Sequence, residues 1–244
     1  MARSRVVQLF LAALVAAAAL PATAQPVDKG DRNCRAGLAK GAQKHARSVF
    51  KEMTRCAKDR MRGRIDAGID CGDVSALPDK SQTRLDRAAN RFRSSAERSC
   101  RRAAPPAANG YVGCPAPCAE VVIDSTYASV GACFACVAEA GMATAYADTH
   151  GEVPSFGGNN DATRCQSYIG RAYDKHFSRR SAEQSRCQKK HDDGRIDAGV
   201  DCQTDDARGK LARAAEQAGR QIDRCDLDVH AASLDSCGAT LDLV

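Results

Sequence analysis

Cys34, Leu38, Ala42, His45, Val49, Met53 and Cys56 recur every three or four residues, the spacing of one face of an amphipathic helix. A turn-rich stretch from Gly68 to Pro78 follows. A second helical face then runs through Leu85, Ala89, Phe92, Ala96 and Cys100, with Asp79 or Ser81 placed to cap its start. The plan returns later in the chain: Cys165, Ile169, Ala172, His176 and Cys187 mark one helix, and Leu211, Ala215, Ala218, Ile222 and Cys225 a second. Each half therefore predicts an αα-hairpin. Between them, Ser125 or Thr126 can cap a helix reaching about Asp148. It is nearly uncharged, so it is expected to be the buried helix against which both hairpins pack.

The two hairpins also share sequence. Residues 64–73 read RIDAGIDCGD and residues 195–204 read RIDAGVDCQT, an offset of 131. Cys34, Cys56 and Cys71 recur as Cys165, Cys187 and Cys202 at that same offset. The expected fold is all-α: two disulfide-stapled αα-hairpin repeats flanking a middle helical segment. The expected divisions are a signal peptide (1–24), a first Cys-rich hairpin (25–110), a middle segment (111–160) and a second hairpin (161–244).

The first 24 residues read as an export signal, with Arg3 and Arg5, an apolar stretch from Val6 to Leu20, and Ala22-Thr23-Ala24 before Gln25. No later segment is read as a membrane span, because Glu139 interrupts the quietest one. The expected location is secreted or periplasmic. Thirteen cysteines in such a chain read as a disulfide framework. There is no Trp and Ala dominates the apolar residues, so stability should lean on those bonds.

Helix geometry limits the pairing. Cys34 and Cys56 lie about 33 Å apart on one helix, at a rise of 1.5 Å per residue. They cannot bond, since bridged Cα atoms lie within about 7 Å. An antiparallel hairpin instead predicts Cys34–Cys100 and Cys56–Cys71, with Cys165–Cys225 and Cys187–Cys202 to match. Cys114, Cys118, Cys133 and Cys136 are expected to pair in a nested way, Cys114–Cys136 and Cys118–Cys133. Cys237 is left unpaired, for a disulfide-linked dimer or a reactive free thiol.

Candidate chemistry is sparse. Cys133-Phe134-Ala135-Cys136 has redox CxxC spacing but lies in a helical pattern, which favours structural bonds. Asp193-Gly194-Arg195-Ile196-Asp197 imitates the centre of a calcium loop. With Lys189 and Val200 at the required ligand positions, it fails as one. His45 and His176 occupy equivalent positions and read as packing residues. No catalytic residues, metal ligands or cofactor are read from the chain, and enzymatic activity is not expected.

Charge is the feature that stands out. Residues 29–104 carry 20 Lys+Arg against 9 Asp+Glu, whereas residues 161–244 carry 14 against 15. Lys40, Lys44, Arg47, Lys51, Arg55, Lys58 and Arg62 follow helical spacing away from the cysteine face, and Arg84, Arg87, Arg91, Arg98 and Arg102 do so on the second helix. A solvated face does not require one sign, so these twelve positions are the candidate anion-binding surface, for polyanions or the cell-envelope surface. The competing reading is a redox or metal-binding protein built on Cys114, Cys118, Cys133 and Cys136.

The pattern Cys-x21-Cys-x14-Cys, a helix ending in Cys and a Cys-x2-Cys helical insert before a second copy resembles uncharacterised exported Cys-rich helical-repeat proteins of high-GC bacteria. The resemblance runs from Cys34 to Cys237 and implies architecture only. The first hairpin here is richer in Arg than that pattern.

Overall fold

The structure is a computed structural model that describes residues 27–150, 160–197, 199–206 and 208–225. The expected signal segment and Cys237 lie outside the described residues. Five α-helices follow in order: α1 (Lys29–Met61), α2 (Asp79–Cys100), α3 (Tyr127–His150), α4 (Asn160–Asp192) and α5 (Lys210–Ile222). Short 3₁₀ turns occupy Val74–Ala76 and Pro106–Asn109, and no strand occurs among the described residues. The fold is all-α.

Cys34, Leu38, Val49, Met53 and Cys56 on α1 are all buried, as the three-to-four spacing requires. They meet Leu85, Phe92, Ala96 and Cys100 of α2 and Val130, Phe134, Met142 and Ala145 of α3 in two adjoining apolar clusters. The hairpin bonds Cys34–Cys100, Cys56–Cys71, Cys165–Cys225 and Cys187–Cys202 are formed, with Cα separations of 4.3, 5.6, 5.0 and 5.4 Å. Six disulfides fit an oxidising extracellular or periplasmic location.

The shared RIDAG motif builds a turn. Asp66 and Asp70 accept from the N–H groups of Gly68 and Gly72, while Asp197 accepts from Gly199 and Asp201 from Gln203. Arg60 donates to the Ile69 carbonyl at 2.8 Å, closing the first of these loops onto α1.

Three expectations need correction. The middle cysteines pair as Cys114–Cys133 and Cys118–Cys136, not in the nested order. Nesting needs the segment before α3 to run antiparallel to it. Tight turns, Cys118 N–H to Pro115 O and Val121 N–H to Cys118 O, instead lead the chain past Cys133 and Cys136 in their own order. The second correction concerns caps. Ser81 does not cap α2: its hydroxyl donates to Glu52 on α1 at 2.9 Å, and Pro78 holds the cap position without a side-chain bond. For α3, Thr126 does accept from the Ser129 N–H.

The third concerns α3. It packs on α1 and α2 and touches α4 only slightly, so it is the core of the first hairpin rather than a shared axle. The shared element is α1, which packs against α2, α3 and α4. By length and composition α3 is apolar enough to cross a membrane, contrary to the sequence reading, and half of its most apolar window is buried in this fold. Cys133 and Cys136 further tie it to the preceding segment.

α1 and α4 run antiparallel. Gln43 donates to the Ser178 carbonyl at 3.1 Å, Arg47 to Asp174, and Phe50 lies 4.7 Å from the Tyr173 ring. Gln43 and Asp174 are 131 positions apart, as are Arg47 and Ser178, so the two polar contacts exchange the same pair of positions.

Glycines set how closely α1 meets α2. A Cβ on Gly41 would fall 2.3 Å from the Phe92 ring and one on Gly37 would fall 2.4 Å from the Ser99 Cβ. Gly41→Ala is therefore expected to cost about 1–3 kcal/mol, because Phe92 is buried and cannot swing aside. Gly219→Ala on α5 meets nothing within 4 Å and should stabilise by roughly 0.4–1 kcal/mol. Denaturant melts of the two oxidised variants test the contrast, and equal shifts would contradict this packing.

Candidate functional site

Part of the basic stripe of α1, though solvent-exposed, borders a concave surface rather than a flat one. α2 flanks it on one side and α4 on the other, and the three helices enclose a cleft of about 900 Å³. Lys44, Arg47 and Lys51 supply its α1 side, Arg91 and Arg98 its α2 side, and Arg171 and Asp174 its α4 side. Six cations thus face one carboxylate. The cleft also reaches the side chains of Phe50 and Phe92, each only 3% exposed, and the hydroxyls of Ser48, Thr54 and Ser95.

A smaller cleft of about 260 Å³ adjoins it between α1 and α2, lined by Arg84, Arg87 and the carboxylate of Glu52 and sharing Ser48, Lys51, Ala88 and Arg91 with the first. Lys40 lies elsewhere. It lines a groove of about 720 Å³ between α1 and α4, where Lys29, Arg32, Arg35, Arg186 and Lys189 are accompanied by Asp192 and Asp193. Arg55, Lys58, Arg62 and Arg102 line none of these three. Of the twelve expected cations, five therefore meet in the main cleft and two more in its extension.

Partners divide these cations further. Arg47 donates to Asp174 through Nε at 2.9 Å and Nη2 at 3.0 Å. That hydrogen-bonded carboxylate raises the Arg47 pKa above its ordinary value. Both side chains are partly exposed, so the pair is worth about 0–1 kcal/mol. Glu52 is 6% exposed and accepts from Arg55 on its own helix and from Arg84 and Ser81 on α2, which spreads one buried charge over three donors, two of them joining α1 to α2. Lys44, Lys51, Arg87, Arg91 and Arg98 have no carboxylate partner among the described residues. Arg171 is held by its own helix: Nε donates to the Ser167 carbonyl, and the guanidinium lies 5.0 Å from the Tyr168 ring centre.

Arg171 was not among the sequence candidates. Its neighbours in sequence include both signs, and only the antiparallel packing of α4 on α1 turns it toward Lys44 and Arg47. The Asp174 carboxylate in the cleft was missed for the same reason.

The remaining candidates take structural places. His45 is 1% exposed and its Nε2 sits 2.8 Å from Glu139 on α3, so it joins α1 to α3. Cys114, Cys118, Cys133 and Cys136 are all in disulfides, with Cys133 and Cys136 bonded to different partners. The four thiols that a redox or metal reading requires are thus consumed. Among the described residues no group of three or more His, Cys, Asp or Glu could hold a metal ion. Comparison with family models, curated proteins and solved structures finds no match to the chain.

His150, at the end of α3, is 2% exposed and stacked on Tyr146 at 4.3 Å. Thr149 Oγ1 donates to the Ala145 carbonyl, which leaves it to accept from His150 Nδ1 at 2.8 Å. Burial lowers the His150 pKa from 6.5 to about 3, and burial with Arg180 nearby also lowers that of His176. Folding thus favours the neutral form of both rings, most strongly for His150, whereas the unfolded chain takes up their protons below about pH 6.5. Their contribution is intact above that pH and is lost as pH falls. His150 alone gives a slope of up to about 1.4 kcal/mol per pH unit. His150→Phe should flatten the pH dependence of Tm between about pH 6.5 and 4 by close to one proton, whatever its baseline stability. An unchanged slope would place the charge sensitivity elsewhere.

Proposed function

We propose that this is an exported, disulfide-stabilised, non-enzymatic binding protein that holds anionic polymers in the cleft between α1, α2 and α4. The observation that carries this reading is the convergence of six cations on one cleft with a single opposing carboxylate. Focusing one sign of charge in a concave, low-dielectric wall raises the local concentration of counter-ions of the other sign. The disulfides at both ends of the first hairpin hold the cations apart from one another without any ligand present, which lowers the ordering cost of binding.

Binding is expected to be strongly salt-dependent, since the Debye length contracts from about 10 Å at 0.1 M to about 3 Å at 1 M. Removing Lys44, Lys51, Arg91 and Arg98 together by substitution with Gln should abolish retention on an anionic matrix at low salt. Thermal stability should stay within about 0.5 kcal/mol, because the four side chains are exposed and carry no ion pair. Lys175, Arg179, Lys190 and Arg208, changed to Gln together, remove the same charge outside the three clefts and form the control. Equal loss in the two quadruple variants would mean that net charge, not the cleft, holds the polymer.

A further inference from the structure

We infer that the cleft accepts an unbranched chain of phosphate groups without bases, laid along the groove between α1 and α2; this rests on the anion-binding reading above. The groove is long rather than round. The main cleft and its extension share Ser48, Lys51, Ala88 and Arg91, so they form one trough whose α2 wall runs from Arg84 to Arg98. Fourteen residues of helix span about 21 Å.

The cations keep to this trough because of their period. Arg84, Arg91 and Arg98 are seven residues apart on α2, and Lys44 and Lys51 are seven apart on α1. Residues seven apart on an α-helix lie within about 20° of one another around its axis, so each of these sets lines a single face. Each wall therefore presents positive charge at steps of about 10.5 Å.

Charge density selects the ligand class. Lys44, Lys51, Arg87, Arg91, Arg98 and Arg171 have no carboxylate partner among the described residues and line the trough of about 21 Å whose α2 wall runs from Arg84 to Arg98. That is about one cation per 3.5 Å, close to the one charge per 3.4 Å of a nucleic-acid strand. A single compact anion would meet only a fraction of them. Arginine supplies most of the set, and its planar fork suits bidentate bonds to phosphate oxygens.

The trough lacks what bases need. Its aromatic rings, Phe50 and Phe92, are 3% exposed and offer no stacking face. Stacking is worth about 1–3 kcal/mol per base in single-strand binders. A concave trough between helices also presents no flat face to a sheet of lipid head groups. A flexible chain of phosphates satisfies the density and the shape together.

The test is calorimetric titration of the intact, oxidised chain with orthophosphate, polyphosphates shorter and longer than the trough, an oligothymidylate and heparin of matched charge, and anionic phospholipid vesicles. Affinity should rise with polyphosphate length until the trough is filled and then level off. Oligothymidylate, heparin and vesicles should each bind at least about tenfold more weakly than the long polyphosphate. Arg91→Lys with Arg98→Lys keeps the charge but removes the forks, and should weaken polyphosphate about tenfold with little change for heparin. If matched heparin, oligothymidylate or vesicles bind as tightly, or if the Lys variant is unaffected, the phosphate-chain inference fails while the anion-binding reading stands. If none of the probes binds at low salt, the anion-binding reading itself fails.

Discussion

α1 is bonded covalently near both its ends, Cys34 to Cys100 at one and Cys56 to Cys71 at the other. Everything else in the molecule is arranged around that constraint. A core of alanine with scattered Leu, Val, Met, Phe and Tyr and no Trp leaves a hairpin of this size a narrow margin from packing alone. The short Cys56–Cys71 loop removes unfolded-chain entropy worth about 3 kcal/mol in the loop-closure account. With its ends fixed, α1 presents three sides to three neighbours, while Gly37 and Gly41 let α2 approach closely.

The same constraint shapes the electrostatics. The hydrophobic arc of α1 faces α2 and α3, and its opposite edge meets α4 through Arg47, Gln43 and Phe50. What remains between α2 and α4 is a strip of α1 that no apolar neighbour covers. Lys44 and Lys51 occupy that strip because burial elsewhere would desolvate them. Glu52, one position from Lys51, turns inward and is satisfied by three donors, leaving the strip itself nearly free of negative charge.

Periodicity made most of this legible. A three-to-four spacing of Cys and apolar residues sets the helices, and an antiparallel hairpin then decides which cysteines face each other. The middle cysteines were not legible, because their pairing depends on the turns at Pro115 and Cys118, which carry no period. Nor was the α4 wall. Arg171 and Asp174 reach the cleft through a contact between positions 127 apart in sequence, Arg47 with Asp174, and no local pattern encodes that register. The near-uncharged composition of α3 correctly marked a buried helix, but composition names no neighbour, and α1 proved to be the element common to both hairpins.

The exchanged contacts Gln43–Ser178 and Arg47–Asp174 place two grooves on opposite sides of the α1–α4 seam. Both are basic, but they hold their cations differently. In the second, Lys29, Arg32, Arg35, Lys40, Arg186 and Lys189 stand with Asp192 and Asp193. Arg32 lies 3.6 Å from Asp193 and Arg35 3.8 Å from Asp192, while Lys189 pairs with Asp193 and Arg186 with Glu183. In the first cleft only Arg47 is engaged in this way. A polymer entering the second groove must compete with the fold's own carboxylates, so the two sides of one chain offer it unequal grips: one stands ready, and the other is already occupied from within.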